Sequence, residues 1–250
     1  IYETGKSVSI DINKAIHYYS LAADQSHAEA QFNLGVIYYT GKHISINADK
    51  AIHYFQLAAD QNHAEAQFNL GVIYFTGYYV PMDINKAIHY YSLAADQNNE
   101  YAQFNLGYIY SSGYHVPVDI NKAIHYYSLA ANNNFALAQF NLGFIYDTGY
   151  LVSADIEKAI HYYSLAANQS HAVAQFNLGS IYLTGMHNEI DIDKTIYYFT
   201  LAANLNHLKA QYGLGFIYYK GYHVPVDVNK AIYYFSLAAN QNYVEAQFNL

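Results

Sequence analysis

The sequence contains no cysteine and no arginine, and these two absences exclude several kinds of site. Without cysteine the chain has no disulfide, no thiolate nucleophile and no cysteine-ligated zinc centre. All of its basic residues are lysines, and its formal net charge is −8. Proteins that bind nucleic acid normally present a basic, arginine-bearing surface. The composition therefore argues against a nucleic-acid partner, although it assigns no compartment and leaves the cytoplasm only as a default.

Long apolar runs are also missing. No stretch approaches the roughly 20 apolar residues that are needed to span a membrane. The first residues do not have the charged and apolar regions of a secretory signal peptide. This chain therefore contains no membrane-spanning or secretory segment that its sequence can identify.

What the sequence does contain is a repeat of 36 residues. Segment 83–95 returns with few changes, and so does the block Gln67-Phe68-Asn69-Leu70-Gly71. A fixed period between about 20 and 50 residues is typical of stacked repeat arrays. We therefore predict a single array over residues 1–250. Its complete units are expected at 30–65, 66–101, 102–137, 138–173, 174–209 and 210–245, with partial units at 1–29 and 246–250.

Both ends of the chain are ordinary repeat sequence. Residues 1–5 match 37–41, at the end of a repeated helix, and residues 246–250 stop inside another copy. Terminal repeats in such arrays are usually atypical, with a polar outer face. We therefore expect this chain to be a segment of a longer protein.

Each repeat has the pattern of two helices. The first is predicted from Ala64 to Thr76, because apolar residues recur at i, i+4, i+7 and i+8, and Gly77 is suited to end it. The second is predicted over 84–95, with Asp83 as its capping residue. Gly71 lies inside the first helix, where glycine costs about 1 kcal/mol relative to alanine. Since every repeat keeps this glycine, we expect a second helix to approach closely there.

These residues resemble a known family. The pattern Ala-Gln-Phe-Asn-Leu-Gly-x-Ile-Tyr-x-x-Gly, followed by Asp-x-Asn-Lys-Ala-Ile-x-Tyr-Tyr-x-Leu-Ala-Ala, is similar to the Sel-1-like repeat, a relative of the tetratricopeptide repeat. By this resemblance Gly71, Ala87, Tyr91 and Ala94 are the signature positions. The resemblance implies an all-α, right-handed superhelical solenoid of about seven helix-turn-helix repeats. It also implies a role as an adaptor or scaffold, as in ubiquitin-ligase complexes, chitin synthase activation and bacterial host interactions.

Some residues depart from the family pattern. Thr195 replaces a signature alanine, Gly213 replaces the asparagine of the first helix, and loop 186–190 has neither the proline nor the usual valine. We therefore expect the sixth unit to pack less regularly than the others. A cysteine-rich bacterial branch of the family binds β-lactams, and the absence of cysteine removes that resemblance.

A ladder of asparagines is the first candidate for partner binding. It lies on the predicted first helices, away from the apolar stripe, and the related arrays have their concave surface on that face. Amide side chains both donate and accept hydrogen bonds, so a row of them can pair with an extended peptide. Alternatively, these residues bridge neighbouring helices or face water. The members of the ladder are Asn33, Asn69, Asn105, Asn141, Asn177 and Asn249.

Two positions near that face vary between repeats. One is occupied by Val36, Val72, Tyr108, Phe144, Ser180 and Phe216; the other by Tyr39, Phe75, Ser111, Asp147, Leu183 and Tyr219. Variation within an otherwise constant framework suggests a surface that packing does not fix. Tyr108, Phe144 and Phe216 are therefore candidate aromatic anchors, with Val72 at the same position. Alternatively, they are tolerated substitutions on a neutral surface.

No group of residues indicates catalysis, a metal site or a cofactor. The histidines recur with the repeat, among them His89 on the second helix and His63 at the start of the first, and copies one repeat apart are too distant to share a metal. The sequence therefore favours a non-enzymatic scaffold that binds a peptide or a partner domain on its concave face. The alternative is a regulatory array within a larger enzyme, such as a kinase or ubiquitin-ligase component. The oligomeric state is not predicted.

Overall fold

The structure is a computed structural model that describes residues 2–4, 9–186 and 189–250. Predicted features at Gly5, His187 and Asn188 lie outside the described residues. Within these ranges the chain is all-helical, which confirms the predicted fold class. The helices are α1 (Ile12–Ala23), α2 (Ala28–Thr40), α3 (Ala48–Ala59), α4 (Ala64–Thr76), α5 (Ile84–Asp96), α6 (Glu100–Ser112), α7 (Ile120–Asn132), α8 (Ala136–Thr148), α9 (Ile156–Asn168), α10 (Ala172–Thr184), α11 (Ile192–Asn204), α12 (Leu208–Lys220), α13 (Val228–Ala239) and α14 (Val244–Asn249).

The chain divides into two compact units, Ile1–Asn133 and Asn134–Leu250. Even-numbered helices are the first helices of the repeats, and odd-numbered helices are the second. Inside each unit, a helix packs chiefly against its neighbours in the chain. The predicted helix Ala64–Thr76 is confirmed at both ends, and the second helix extends one residue further than predicted, to Asp96.

The core of each unit is built from small apolar patches between consecutive helices. One such patch joins α5 to α6 and contains Tyr91, Ala94, Leu106 and Ile109, all of which are almost fully buried. Alanines allow the two helix backbones to approach, while the tyrosine and the branched side chains fill the space beside them. Because helices of about 13 residues are marginal alone in water, this burial is what keeps them folded.

The constant glycine lies where two helices of one repeat meet. A Cβ atom on Gly71 would lie 2.5 Å from Cδ1 of Tyr91 on α5. This distance is shorter than real Cβ contacts allow, so the prediction of a close helix approach is confirmed. At the end of the same helix, Gly77 has a φ of +63°, a left-handed conformation that glycine adopts without steric penalty.

The second helices begin at a side-chain cap, as predicted. The Asp83 carboxylate accepts a hydrogen bond from the backbone amide of Lys86 at 3.0 Å. Lys86 in turn places its ammonium group 4.9 Å from the ring centre of Tyr74, on the preceding helix. The Tyr74 ring stacks on Tyr90, with their centres 5.8 Å apart. This cluster explains why lysine recurs in every repeat: it closes the loop between the two helices.

The turn between repeats uses a left-handed residue. Asn62 has a φ of +62°, and the amides of Asn62 and His63 donate to the carbonyls of Ala59 and Ala58. Asparagine tolerates this conformation better than most residues, which explains why it or serine occupies the position.

Candidate interaction surface

The asparagine ladder lies on the even-numbered helices, where its members are half-buried except for Asn249, which is exposed. Two of its members lie beside tyrosines of the preceding helix, Asn105 beside Tyr91 and Asn177 beside Tyr163. Burial raises the pKa of both tyrosines, and the neighbouring asparagine side chains oppose part of the rise. At these two positions the asparagine therefore faces a neighbouring helix and retains amide capacity for a partner.

The first variable position carries the exposed aromatic rings. Tyr108, Phe144 and Phe216 are 45%, 47% and 42% exposed. Val72 differs from them, because it is partly buried and packs against the apolar patch between α5 and α6. Tyr108 belongs to the first unit, and Phe144 and Phe216 belong to the second. Phe216 lies beside Tyr212, with ring centres 6.4 Å apart.

The second variable position is not a free surface in every repeat, contrary to the sequence interpretation. Its polar members bond to a buried tyrosine hydroxyl sixteen residues later: Ser111 lies 3.1 Å from that of Tyr127, and Asp147 accepts from Tyr163 at 3.1 Å. Burial raises the pKa of Asp147, and the bond from Tyr163 opposes the rise.

The other members of this position are apolar or aromatic, and the residue sixteen later is phenylalanine or, after Phe75, the tyrosine Tyr91. Tyr39 faces Phe55, with ring centres 6.1 Å apart, and Tyr219 faces Phe235 at 6.3 Å. The variation at this position therefore follows the interior of the repeat at its polar members, whereas Tyr219 is 47% exposed.

A buried glutamine ladder was missed by the sequence interpretation. The side-chain amide of Gln67 is 1% exposed, donates to the carbonyl of Ala59 and accepts from Gln97 at 2.7 Å. The equivalent bonds join Gln61 to Gln31, Asn133 to Gln103, Gln169 to Gln139, and Gln241 to Gln211. The sequence did contain a signal for this ladder. Every first helix keeps a glutamine between apolar residues, at a position that normally holds an apolar side chain.

The ladder has one break. Leu205 occupies the position of the donating glutamine, and Oε1 of the buried Gln175 has no hydrogen-bond partner among the described residues. A buried acceptor left unpaired costs about 1–3 kcal/mol.

The histidines at the helix starts are caps. Nδ1 of His171 accepts from the amide of Ala174 at 3.2 Å, and Nδ1 of His207 accepts from that of Ala210 at 3.3 Å. Burial lowers the pKa of both rings, and the charge of Lys209 lowers that of His207 further. The described residues contain no group of three or more side chains that could hold a metal ion. The histidines of the second helices, such as His89, are exposed.

The family model of the Sel1 repeat matches residues 1–27, 28–63, 64–99, 100–135, 136–171, 172–207 and 208–243. The chain belongs to the Sel1 repeat family. Sel1 repeats are all-helical modules that generally mediate protein–protein interactions. A search of curated proteins gave no match.

Two solved structures are similar to this Sel1 chain. One is a protective antigen of uropathogenic Escherichia coli strains with an SLR fold, at 31% identity and a TM-score of 0.91 over 100% of this chain. This chain spans 54% of that protein's length. The other is a Sel1 repeat protein from Oxalobacter formigenes, at 30% identity and a TM-score of 0.78, covering 98% of this chain and 71% of that one. No helix among the described residues is long and apolar enough to cross a membrane.

Proposed function

We propose that this Sel1 repeat chain is a non-enzymatic scaffold that binds a peptide or a partner domain on the face of its even-numbered helices. The observation that carries the proposal is the exposure of three aromatic rings at one repeat position, Tyr108, Phe144 and Phe216. Large aromatic side chains are the residues that most often dominate the binding energy of protein interfaces. The family's general role in protein interaction supports the same assignment.

The asparagine ladder provides polar contacts on the same face. Each amide can donate to a backbone carbonyl and accept from a backbone amide of an extended peptide. Asn33, Asn69, Asn105, Asn141 and Asn177 thus supplement the aromatic anchors. Asn69 suits a binding test best, because the helix before it has Phe55 at the position of Tyr91 and Tyr163, which lie beside Asn105 and Asn177. Replacing Asn69 by alanine removes an amide without leaving a tyrosine hydroxyl unpaired.

The test combines affinity capture with matched variants. The triple variant Tyr108→Ala, Phe144→Ala and Phe216→Ala is expected to recover its partner at least about tenfold less efficiently, because truncating an anchor typically costs 2 kcal/mol or more. The control is Tyr197→Ala with Tyr233→Ala, since these rings are each 58% exposed but lie on odd-numbered helices. Equal recovery by the triple variant and the wild type, with unchanged circular dichroism, would contradict the proposal.

The alternative of a regulatory array within a larger enzyme stays a prediction. The full-length sequence tests it directly, because a catalytic domain beside the repeats has its own recognisable motifs.

A further inference from the structure

The second unit contains an apolar pocket of about 440 Å³ between α10 and α12. Leu183, at the end of α10, and Ile190, in the following loop, form one side of it. Gly213 and Phe216 on α12 and Tyr222 after it form the other side. The volume falls in the range of roughly 300–1,000 Å³ that is typical of ligand-binding pockets.

The pocket is formed by departures from the repeat. Gly213 takes the place of the asparagine of the ladder, and its Cα faces the ring of Phe199. Leu183 takes the place of the larger Tyr39 and Phe75 of the first unit, while serine and aspartate occupy the same position in two other repeats. Ile190 is not a departure, because isoleucine also occupies the equivalent position at Ile46. The substitutions at Leu183 and Gly213 lie on different helices, yet both residues line the same pocket.

The first unit shows what fits such a groove. There the ring of Phe75 lies 5.4 Å from that of Tyr114, the equivalent of Tyr222, and the ring of Tyr39 lies 5.4 Å from that of Tyr79, the equivalent of His223. In those repeats an aromatic side chain of the protein itself fills the space beside a loop tyrosine. In the second unit Leu183 is too small to do so, while the loop tyrosine, Tyr222, is kept.

A positive charge lies next to the pocket. Lys220 replaces the threonine or serine found at this position in the other repeats, such as Thr76. Its ammonium group lies 5.9 Å from the ring centre of Phe216 and 4.8 Å from that of Tyr219. A carboxylate of a partner can approach this group, whereas Glu189, exposed next to Ile190, disfavours a carboxylate on that side of the pocket.

We propose that this pocket binds a single aromatic side chain of a partner peptide, with an acidic residue of that peptide paired to Lys220. The inference rests on the proposed scaffold function, and it names the chemistry of the partner at one site. The aromatic ring replaces the one that Tyr39 and Phe75 supply in the first unit. The ion pair with Lys220 fixes the orientation of the peptide, which the apolar pocket alone would not determine.

The test uses a short synthetic probe, acetyl-GFDDG-amide, titrated into the intact chain with labelled isoleucine and leucine methyl groups. A Kd on the order of 1 mM is expected for so small a ligand. The methyl signals of Leu183, Ile190 and Ile217 are expected to shift. The control probe acetyl-GADDG-amide, which lacks the ring, is expected to leave them unchanged.

Two variants close the pocket with residues that the chain already uses. Leu183→Tyr would face Phe199 as Tyr39 faces Phe55. Gly213→Asn restores the ladder asparagine after a helix that carries Phe199, as Asn69 follows the helix that carries Phe55. Both substitutions therefore recreate local sequences that fold elsewhere in the chain. Each is expected to weaken probe binding at least about tenfold, whereas Tyr233→Ala, an exposed ring on the odd-numbered helix α13, is expected to leave it unchanged.

The charge is tested separately. Lys220→Thr restores the residue type of the other repeats. It is expected to weaken the binding of acetyl-GFDDG-amide by about two- to fivefold, as for the loss of an exposed ion pair. It is expected to leave the neutral probe acetyl-GFNNG-amide unaffected. Equal binding of the two probes by the wild type would overturn the assignment of an acidic partner.

Three outcomes would overturn the proposal as a whole. They are probe-induced shifts that persist in Leu183→Tyr, the absence of any shift at several times the expected Kd, and concentration-dependent self-association that Leu183→Tyr abolishes. The last result would show that a second copy of the chain occupies the pocket. Each can arise while the triple aromatic variant still loses its partner, so a failure here is distinguishable from a failure of the scaffold function.

Discussion

At the scale of single residues, hydrogen bonds between distant side chains explain some of the recurring polar positions, above all the glutamines. Gln67 accepts from Gln97, thirty residues later, and Ser111 lies 3.1 Å from the hydroxyl of Tyr127, sixteen residues later. Residues so far apart in sequence meet only after the helices have packed. Helical periodicity relates neighbours three or four residues apart, so it identifies an apolar face but not these partners. This is why the glutamine ladder was not predicted.

The break in that ladder gives a prediction of increased stability. Leu205→Gln supplies a donor to the unpaired Oε1 of Gln175, as Gln97 does for Gln67. We expect an increase of about 0.5–1.5 kcal/mol in the free energy of unfolding. Thermal and denaturant unfolding measure it.

The matched control reverses the change. Gln97→Leu leaves the buried Oε1 of Gln67 unpaired and is expected to lower the free energy of unfolding by about 1–3 kcal/mol. If both variants unfolded like the wild type, the glutamine bonds would contribute nothing to stability.

At the scale of the helix, much of the fold could be predicted from the sequence. The bounds of α4, the cap at Asp83 and the close approach at Gly71 all follow from patterns within one repeat, and the structure confirms them. These features depend on neighbouring residues and backbone geometry. The capping role of His171 was missed. The sequence shows a histidine at the start of the helix but does not show whether its ring accepts from the backbone or faces solvent.

The histidine caps predict a dependence of stability on pH. Burial lowers the pKa of His171 and His207 below the ordinary value of 6.5, since the folded protein needs the neutral ring whose Nδ1 accepts. The unfolded chain therefore binds more protons than the folded one near this pH. The contribution of the two histidine caps to stability is complete above pH 6.5. It is lost as the pH falls through the lowered pKa values of the two rings in the folded protein.

Replacement by asparagine tests this assignment. Asn99 caps α6 in the same way, accepting from the amide of Ala102 at 2.9 Å without an ionisable group. The double variant His171→Asn and His207→Asn is expected to lose less stability than the wild type between pH 7 and about pH 5. Denaturant unfolding at several pH values provides the comparison, and parallel curves for the two proteins would refute the caps as the titrating groups.

The glycine at the helix crossing predicts a steric effect. Gly71→Leu forces a side chain against the ring of Tyr91 and is expected to lower the free energy of unfolding by about 1–3 kcal/mol. Gly213→Ala is the matched control, because its Cβ would lie 3.0 Å from the edge of Phe199 and alanine favours the helix. Its effect should be smaller, as measured by thermal unfolding. Unchanged unfolding of Gly71→Leu would contradict the observed contact.

At the scale of the molecule, stability comes from contacts between consecutive helices. In each unit the strongest packing joins neighbours such as α4 and α5, or α12 and α13. Repeat arrays of this kind distribute stability as nearest-neighbour contributions. A local defect is therefore expected to have a local effect.

Hydrogen exchange tests this expectation. In Gly71→Leu, amides of α4 and α5 should exchange faster than in the wild type, and those of α3 and α6 should follow to a smaller extent. Amides of α12 and α13 should keep their wild-type rates and serve as the internal control. A uniform acceleration over all helices would instead indicate a single cooperative unit.

The candidate site was predicted less completely than the fold. The sequence singled out Phe216, Gly213 and the loop before α11, but it did not place them around one pocket. Tyr108 and Phe144 are exposed as an anchor requires, whereas Val72 is partly buried. A pattern shows which positions vary. Whether the cause is a partner or an internal contact depends on packing, as the bond from Tyr163 to Asp147 shows.

The lysine–aspartate pairs have a further consequence. In the part of the chain that the structure describes, each joins residues three apart at the start of one helix, as Lys86 and Asp83 do. None of these pairs holds one repeat to the next. Dissolved ions can therefore screen the negative charges of the surface and weaken their attraction for charged partners. The apolar contacts between helices persist in salt. Under the proposed function, ionic strength would then change the binding of charged partners without unfolding the repeats.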